Sequence, residues 1–279
     1  LENSQMKKTL IAMAAVAVAG VASAQVSLTG TFNVDMQNTT SVSSKTIGVG
    51  DAILSASASE DLGGGMAVAV NTTLQTKGGR GQGVSNNGYS FDLSGGFGKF
   101  TVKSYLSGGA GLSAGISAAN DMNTVWRGYY ARTRIQYTLP ALADGLSAFI
   151  KWDKNSATDG TISDFSTTGY NVSYASGPFS IGTNGSNAAG AKNDLTVTFD
   201  AGVAKVAAYS AGNNTEFTLT APVGAMNVGM HIARGDAAAT GVVASYALSK
   251  RTKLSYNYVN QTKGGTIGSN YRVRLGHSF

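Results

Sequence analysis

The stretch Val26-Ser27-Leu28-Thr29-Gly30-Thr31-Phe32-Asn33-Val34-Asp35-Met36 alternates apolar with polar residues, and only Gly30 interrupts the apolar row. In an extended chain successive side chains point to opposite faces. Val26, Leu28, Phe32, Val34 and Met36 therefore share one face, and Ser27, Thr29, Thr31, Asn33 and Asp35 share the other. A segment with a greasy side and a wet side suits a sheet that meets an apolar medium on one face and water on the opposite one. Its length matches the ~9 to 11 residues that a tilted strand needs to cross a bilayer.

Segments of the same kind recur down the chain, about 16 of them in all, an even number suited to a water-filled barrel. The second is expected at 51–59, the sixth at 127–138, the seventh at 145–154 and the last at 269–279. Clusters of Gly, Asn, Asp, Ser and Pro separate them. Short turns fall at 60–65, 95–98, 140–144, 176–178, 200–202, 222–224 and 249–250, and mostly longer loops lie between, at 37–50, 77–87, 107–126, 155–167 and 262–268. Alternation of short turns with longer loops is the pattern of bacterial outer-membrane barrels. All three prolines fall in the short turns, where a missing N–H costs no ladder hydrogen bond. The connection at Asn213 is short for an outer loop and is the weakest point of this register.

Composition points the same way. With 37 Gly, 3 Pro and no Cys, and with no long run of helix formers, the chain carries strand-and-turn chemistry and no thiolate metal or disulfide site. After the N-terminal leader no run approaches ~18 consecutive apolar residues, so a membrane-spanning helix is excluded. A closed barrel is then the one remaining way for the backbone to satisfy its hydrogen bonds in lipid.

Met6, Lys7 and Lys8 form a short basic region, Leu10 to Val21 an apolar one, and Ala22-Ser23-Ala24 a small-x-small cleavage site before Gln25. These are the three parts of a secretory signal peptide, expected over 6–24, with 1–5 as an upstream extension. The barrel is expected over 25–279. Glu2, Lys7 and Lys8 leave with the leader, so the mature net charge falls from +6 to +5.

Three stretches resemble the general porins of Gram-negative bacteria, in particular those of betaproteobacterial type. They are the turn Glu60-Asp61-Leu62-Gly63-Gly64-Gly65-Met66, the hairpin Leu93-Ser94-Gly95-Gly96-Phe97-Gly98-Lys99-Phe100-Thr101-Val102, and the closing stretch Tyr271-Arg272-Val273-Arg274-Leu275-Gly276-His277-Ser278-Phe279. The resemblance implies an all-β, transmembrane antiparallel barrel of about 16 strands, assembled as a homotrimer in the outer membrane among lipid and lipopolysaccharide. It implies passive diffusion of small polar solutes, and a terminal Phe279 that the outer-membrane assembly machinery reads. It further implies a third outer loop, here 107–126, folded into the pore. Relatives place several carboxylates on that loop, whereas this one has only Asp121, which puts the usual charge-separated constriction in doubt.

Extending the two-face pattern, Lys103, Arg132, Arg134, Lys151, Lys253, Arg272 and Arg274 fall on the polar parity. Turning them to lipid would cost ~2 to 4 kcal/mol each near the midplane, so they face the lumen. One reading is a positive constriction with a mild preference for anions; the other is a scattered solvated surface. The inward acids Asp35, Asp92, Asp153 and Glu216 are fewer and lie on different strands. Tyr89, Trp126, Tyr130, Trp152, Tyr258 and Tyr271 are expected near outer strand ends, and Phe91, Phe100, Phe179, Phe199 and Phe279 near inner ends, some of them in interfacial girdles.

Chemistry of other kinds finds little support. Only two histidines exist, and a catalytic centre needs a nucleophile, a base and an orienting group. His277 falls on the lipid-facing row, and His231 shares the lumen parity with Asn227. Gly78-Gly79-Arg80-Gly81-Gln82-Gly83 matches a phosphate-cradling loop in glycine content alone, since no helix follows. Arg234-Gly235-Asp236 falls in an outer loop, where the tripeptide could engage an adhesion receptor or stand there by chance. The expectation is a channel and not an enzyme, with no cofactor, metal or nucleic-acid partner. Two rivals remain: a substrate-selective outer-membrane channel, and a narrow barrel with an adhesive or structural role.

Overall fold

The computed structural model describes residues 25–39, 42–77, 85–108, 129–154, 165, 167–236, 238–264 and 267–279. Among them are sixteen strands and no helix: β1 (Gln25–Thr39), β2 (Val42–Gly63), β3 (Met66–Lys77), β4 (Ser85–Gly95), β5 (Gly98–Gly108), β6 (Tyr129–Thr138), β7 (Leu146–Lys154) and β8 (Thr167–Ser176). They continue as β9 (Phe179–Ser186), β10 (Asp194–Asp200), β11 (Lys205–Ala211), β12 (Asn214–Val223), β13 (Met226–Arg234), β14 (Ala238–Ala247), β15 (Thr252–Lys263) and β16 (Gly268–Ser278). Each strand pairs antiparallel with its neighbours in sequence, and β16 returns to β1, so the sheet closes into a barrel without a free edge.

The alternation of the first strand continues round this barrel. Phe32 stands opposite His277 and Ala52, Leu54 opposite Leu74, Val70 opposite Phe91, and Tyr256 opposite Val273. Those residues form the outer surface, where Leu28, Phe32, Val70, Phe91, Tyr256 and Leu275 are exposed. The buried set is dominated by Asp35, Asp153, Glu216, His231, Asn257 and Arg274, and its apolar members are small, such as Ala207, Ala233 and Val243. A soluble domain buries its large apolar side chains; this one turns them outward, as a barrel bathed in lipid requires.

The seam between first and last strands is closed by backbone and side chain together. Gly30 and Phe279 exchange two N–H···O bonds of 3.0 Å each. The Phe279 ring lies over Gly30, in space that a side chain at position 30 would fill. A turn glycine is equally constrained. Gly145 has φ +77°, and a Cβ there would overlap the carbonyl oxygen of Ala175, whose amide donates to the Gly145 carbonyl at 2.9 Å. Gly145→Val is expected to reduce the yield of folded, heat-modifiable barrel several-fold at unchanged expression, as read by gel migration with and without boiling.

Two expectations need correction. Residues 37–50 were expected as an outer loop, but β1 runs on to Thr39 and β2 begins at Val42, with Thr39 paired to Val42. A bulge hides that strand: Phe32 pairs with Ala52 and Val34 with Val49, so Gly50 and Asp51 together face Asn33 and the alternation slips by one. Pro222 is within β12, opposite Asn227, and not in a turn. The Asn213 connection, by contrast, is a tight two-residue turn between Ala211 and Asn214, with Gly212 at φ +57°. The expected leader 6–24, most of the loop 107–126 with Asp121 and Trp126, and the glycine-rich 78–83 lie outside the described residues, as does the side chain of Tyr130.

Candidate channel lining and its ion pairs

Parity places the predicted cations on the inner wall. Lys103 on β5 stands opposite Arg134 on β6, which stands opposite Asp153 on β7. Lys151 faces Gln136, and Arg132 occupies the inward register position opposite Tyr105, although its side chain is outside the described residues. On the closing seam Arg272 stands between Gln37 and Asn257, and Arg274 between Asp35 and Ser255. The two groups lie on separate parts of the wall.

Arg134 binds Asp153 with both ends of its guanidinium, at 2.6 Å from Nε and 3.0 Å from the terminal nitrogen, and Lys151 Nζ reaches the same carboxylate at 3.6 Å. Arg274 forks onto Asp35 with two contacts of 2.7 Å and takes Asp51 at 3.2 Å. Gln75 donates to the other Asp51 oxygen at 3.1 Å. The bulge on β2 brings Asp51 there, and Gly50 makes room, because a Cβ on it would overlap the Asp35 carboxylate. Bidentate arginine–carboxylate contacts are among the stronger polar contacts proteins make, and they hold both partners in one geometry.

These pairs change the electrostatic reading. The acids do stand on different strands from the arginines, but Asp35 and Asp153 are on adjacent ones, where cross-strand neighbours are only ~5 Å apart, and Asp51 is one strand further round. Along β4 to β7 the inward cations Lys103, Arg134 and Lys151, with Arg132 at an inward register position, stand against Asp92 and Asp153; along the seam Arg272 and Arg274 stand against Asp35 and Asp51. Arg272 and Arg274 are thus matched one for one by Asp35 and Asp51, with Lys253 further along β15 in addition. On the β5 to β7 wall the register positions of four cations face two carboxylates.

The rest of the lining is polar, and much of it is joined by hydrogen bonds from strand to strand. Ser27 meets Ser57 at 2.7 Å and Ser55 meets Thr73 at 3.2 Å along β1 to β3, while Thr101 donates to Asp92. On β12 and β13 the buried His231 brings Nε2 to 2.5 Å from the Glu216 carboxylate, a contact that parity could suggest and only the strand register could establish. His277 is on the outer face, 2.9 Å from the Thr252 hydroxyl. Arg234 and Asp236 are exposed at the β13–β14 turn, and Asn214 accepts from the Asp236 amide at 2.8 Å.

A closed, sixteen-stranded antiparallel barrel with an apolar outside and an ion-paired, hydroxyl-rich inside has the porin fold. Comparison with solved structures agrees on the particular architecture. The chain superposes on OmpF of Salmonella typhi, solved in complex with daunomycin, with a TM-score of 0.70 at 13% identity, covering 92% of this chain and 98% of that one. It matches a mutant of Rh. blastica porin with a TM-score of 0.67 at 14% identity, over 91% of this chain and 100% of the other. A loop-deletion form of OmpT, an outer membrane protein of Vibrio cholerae, gives 0.66 at 13% identity, over 92% and 99%. No protein-family model and no curated protein matches the sequence.

Proposed function

We propose that the chain is a general diffusion porin of a Gram-negative outer membrane, of betaproteobacterial type, that passes small polar solutes with a mild preference for anions. The observation that carries this reading is the inverted burial of the barrel. Exposed Leu28, Phe32, Val70, Phe91 and Leu275 outside fit lipid, whereas buried Asp35, Asp153, Glu216 and Arg274 inside fit water. The anion preference is assigned to Lys103, Arg132, Arg134 and Lys151, whose charge exceeds that of Asp92 and Asp153; Arg272 and Arg274 contribute less because carboxylates at the seam balance them. A homotrimer embedded among lipid and lipopolysaccharide, delivered by the assembly machinery through Phe279, completes the proposal.

Liposome swelling tests it. Vesicles carrying the purified protein should swell in uncharged sugars at rates that fall smoothly as sugar size increases. A single favoured sugar would point to a substrate-selective channel. No swelling in any sugar would contradict diffusion.

A further inference from the structure

On the inner face of β12 and β13 three polar side chains meet that the channel reading does not use. Register sets Thr218 opposite His231 and Glu216 opposite Ala233, so Glu216 is the diagonal neighbour of the imidazole. His231 Nε2 lies 2.5 Å from Glu216 Oε1, and the two side chains are 7% and 1% exposed. Thr218 is fully covered. Ala207 on β11, Ala233 on β13 and Gly241 on β14 take the adjoining inward positions and add no polar side chain, while Tyr209 on β11 stands opposite Glu216.

Two buried atoms of this cluster, Glu216 Oε2 and Thr218 Oγ1, have no hydrogen-bond partner. Burying such atoms unpaired is costly, the more so on a carboxylate. The other inward acids differ: Asp35 and Asp153 each have both oxygens on a guanidinium. An unpaired carboxylate oxygen and a hydroxyl oxygen beside an imidazole nitrogen are ligands for a cation, and the donor set says which kind. Imidazole nitrogen with carboxylate oxygen suits zinc and its first-row neighbours, whereas magnesium and calcium take oxygen ligands. Zn²⁺ binds such donors at ~2.0 to 2.2 Å, which in a tetrahedral site sets them ~3.3 Å apart. The 2.5 Å pair would open by less than ~1 Å to admit it, and the proton shared in that contact would leave.

We propose that Glu216, His231 and Thr218 form a binding site for a divalent transition-metal ion of the zinc type, taken up from solution and not held as a resident cofactor. Two strong ligands and a hydroxyl leave coordination positions to water, so the ion exchanges. No metal-ligand spacing marks these donors in the sequence, because Glu216 and His231 meet only through the register of β12 with β13. The site stands on that geometry and not on the channel reading.

The experiment is calorimetric titration of zinc chloride into the full-length, tag-free protein, folded in detergent micelles, with heat-modifiable migration establishing that each variant is folded. The parent should take up about one ion per chain. His231→Gln, whose amide can still donate a hydrogen bond to Glu216, should weaken binding about tenfold or more, as should Glu216→Gln, and Thr218→Val should weaken it several-fold. His231→Cys should retain binding, since a thiolate is also a zinc ligand. His277→Ala, on the outer face, should bind as the parent does, and magnesium chloride in about tenfold excess should not compete. No saturable uptake by the folded parent, equal uptake by parent and His231→Gln, or loss of binding in His277→Ala overturns the site and leaves the porin reading standing. A folded protein that binds zinc through His231 and passes no current in planar bilayers keeps the site and overturns the porin reading.

Discussion

Replacing Arg274 with Met is expected to cost the folded barrel about 3 to 5 kcal/mol, the largest stability effect of any single charged residue on the wall. The reason is the state in which it leaves its partners. Asp35 is buried with a side chain only 7% exposed, and it receives both of the 2.7 Å guanidinium contacts; Asp51 receives a third. Removing the guanidinium strands two carboxylates beside each other, Asp35 almost fully covered and Asp51 27% exposed. The pair also spans β16 and β1, so the loss falls on the closing seam. The temperature at which the compact gel band disappears should drop markedly for Arg274→Met and recover in large part for Arg274→Met with Asp35→Leu and Asp51→Asn, because that variant leaves no unpaired charge. A single variant as stable as the parent would show that the seam does not depend on this network.

The second large effect concerns ion selectivity. Lys103→Glu with Lys151→Glu should turn a mild anion preference into a clear cation preference, with a change of about fivefold or more in permeability ratio at ~0.1 M salt. Each substitution replaces a positive charge with a negative one on the wall that holds the surplus, beside Asp92 and Asp153, and low-dielectric walls focus the resulting field along the pore. At ~1 M salt, where the screening length is about 3 Å, most of the difference should vanish. The matching change at the seam, Arg272→Gln, should shift the reversal potential less. Measurement of the reversal potential in a salt gradient separates the two walls: equal shifts would mean that the balance of acids at the seam does not matter.

Much of this barrel was legible in the residues themselves. The two faces of Val26 to Met36, and the short turns marked by Gly64-Gly65, Gly96-Phe97 and Gly224, stand in the structure where their spacing put them, because strand parity and left-handed turn geometry are local properties. The inward parity of Lys103, Arg134, Lys151, Arg272 and Arg274 follows from the same rule. Residues 42–50 escaped because a bulge at Gly50 and Asp51 interrupts the alternation, and glycines at 48 and 50 resemble loop chemistry. Pairing of charges escaped for a different reason. Arg274 and Asp35 are 239 residues apart, and only closure of the last strand on the first brings them into contact. The same holds on a smaller scale for Arg134 and Asp153, and for His231 and Glu216, where the register between strands decides which inward residues meet.

Single-channel recording of the purified protein in planar bilayers addresses the central claim, that the lumen is a continuous water path, most directly. The expected record shows discrete, ohmic openings whose conductance rises in near proportion to salt concentration and does not saturate with any one solute. Insertion without conductance, in protein whose migration shows a folded barrel, would contradict it.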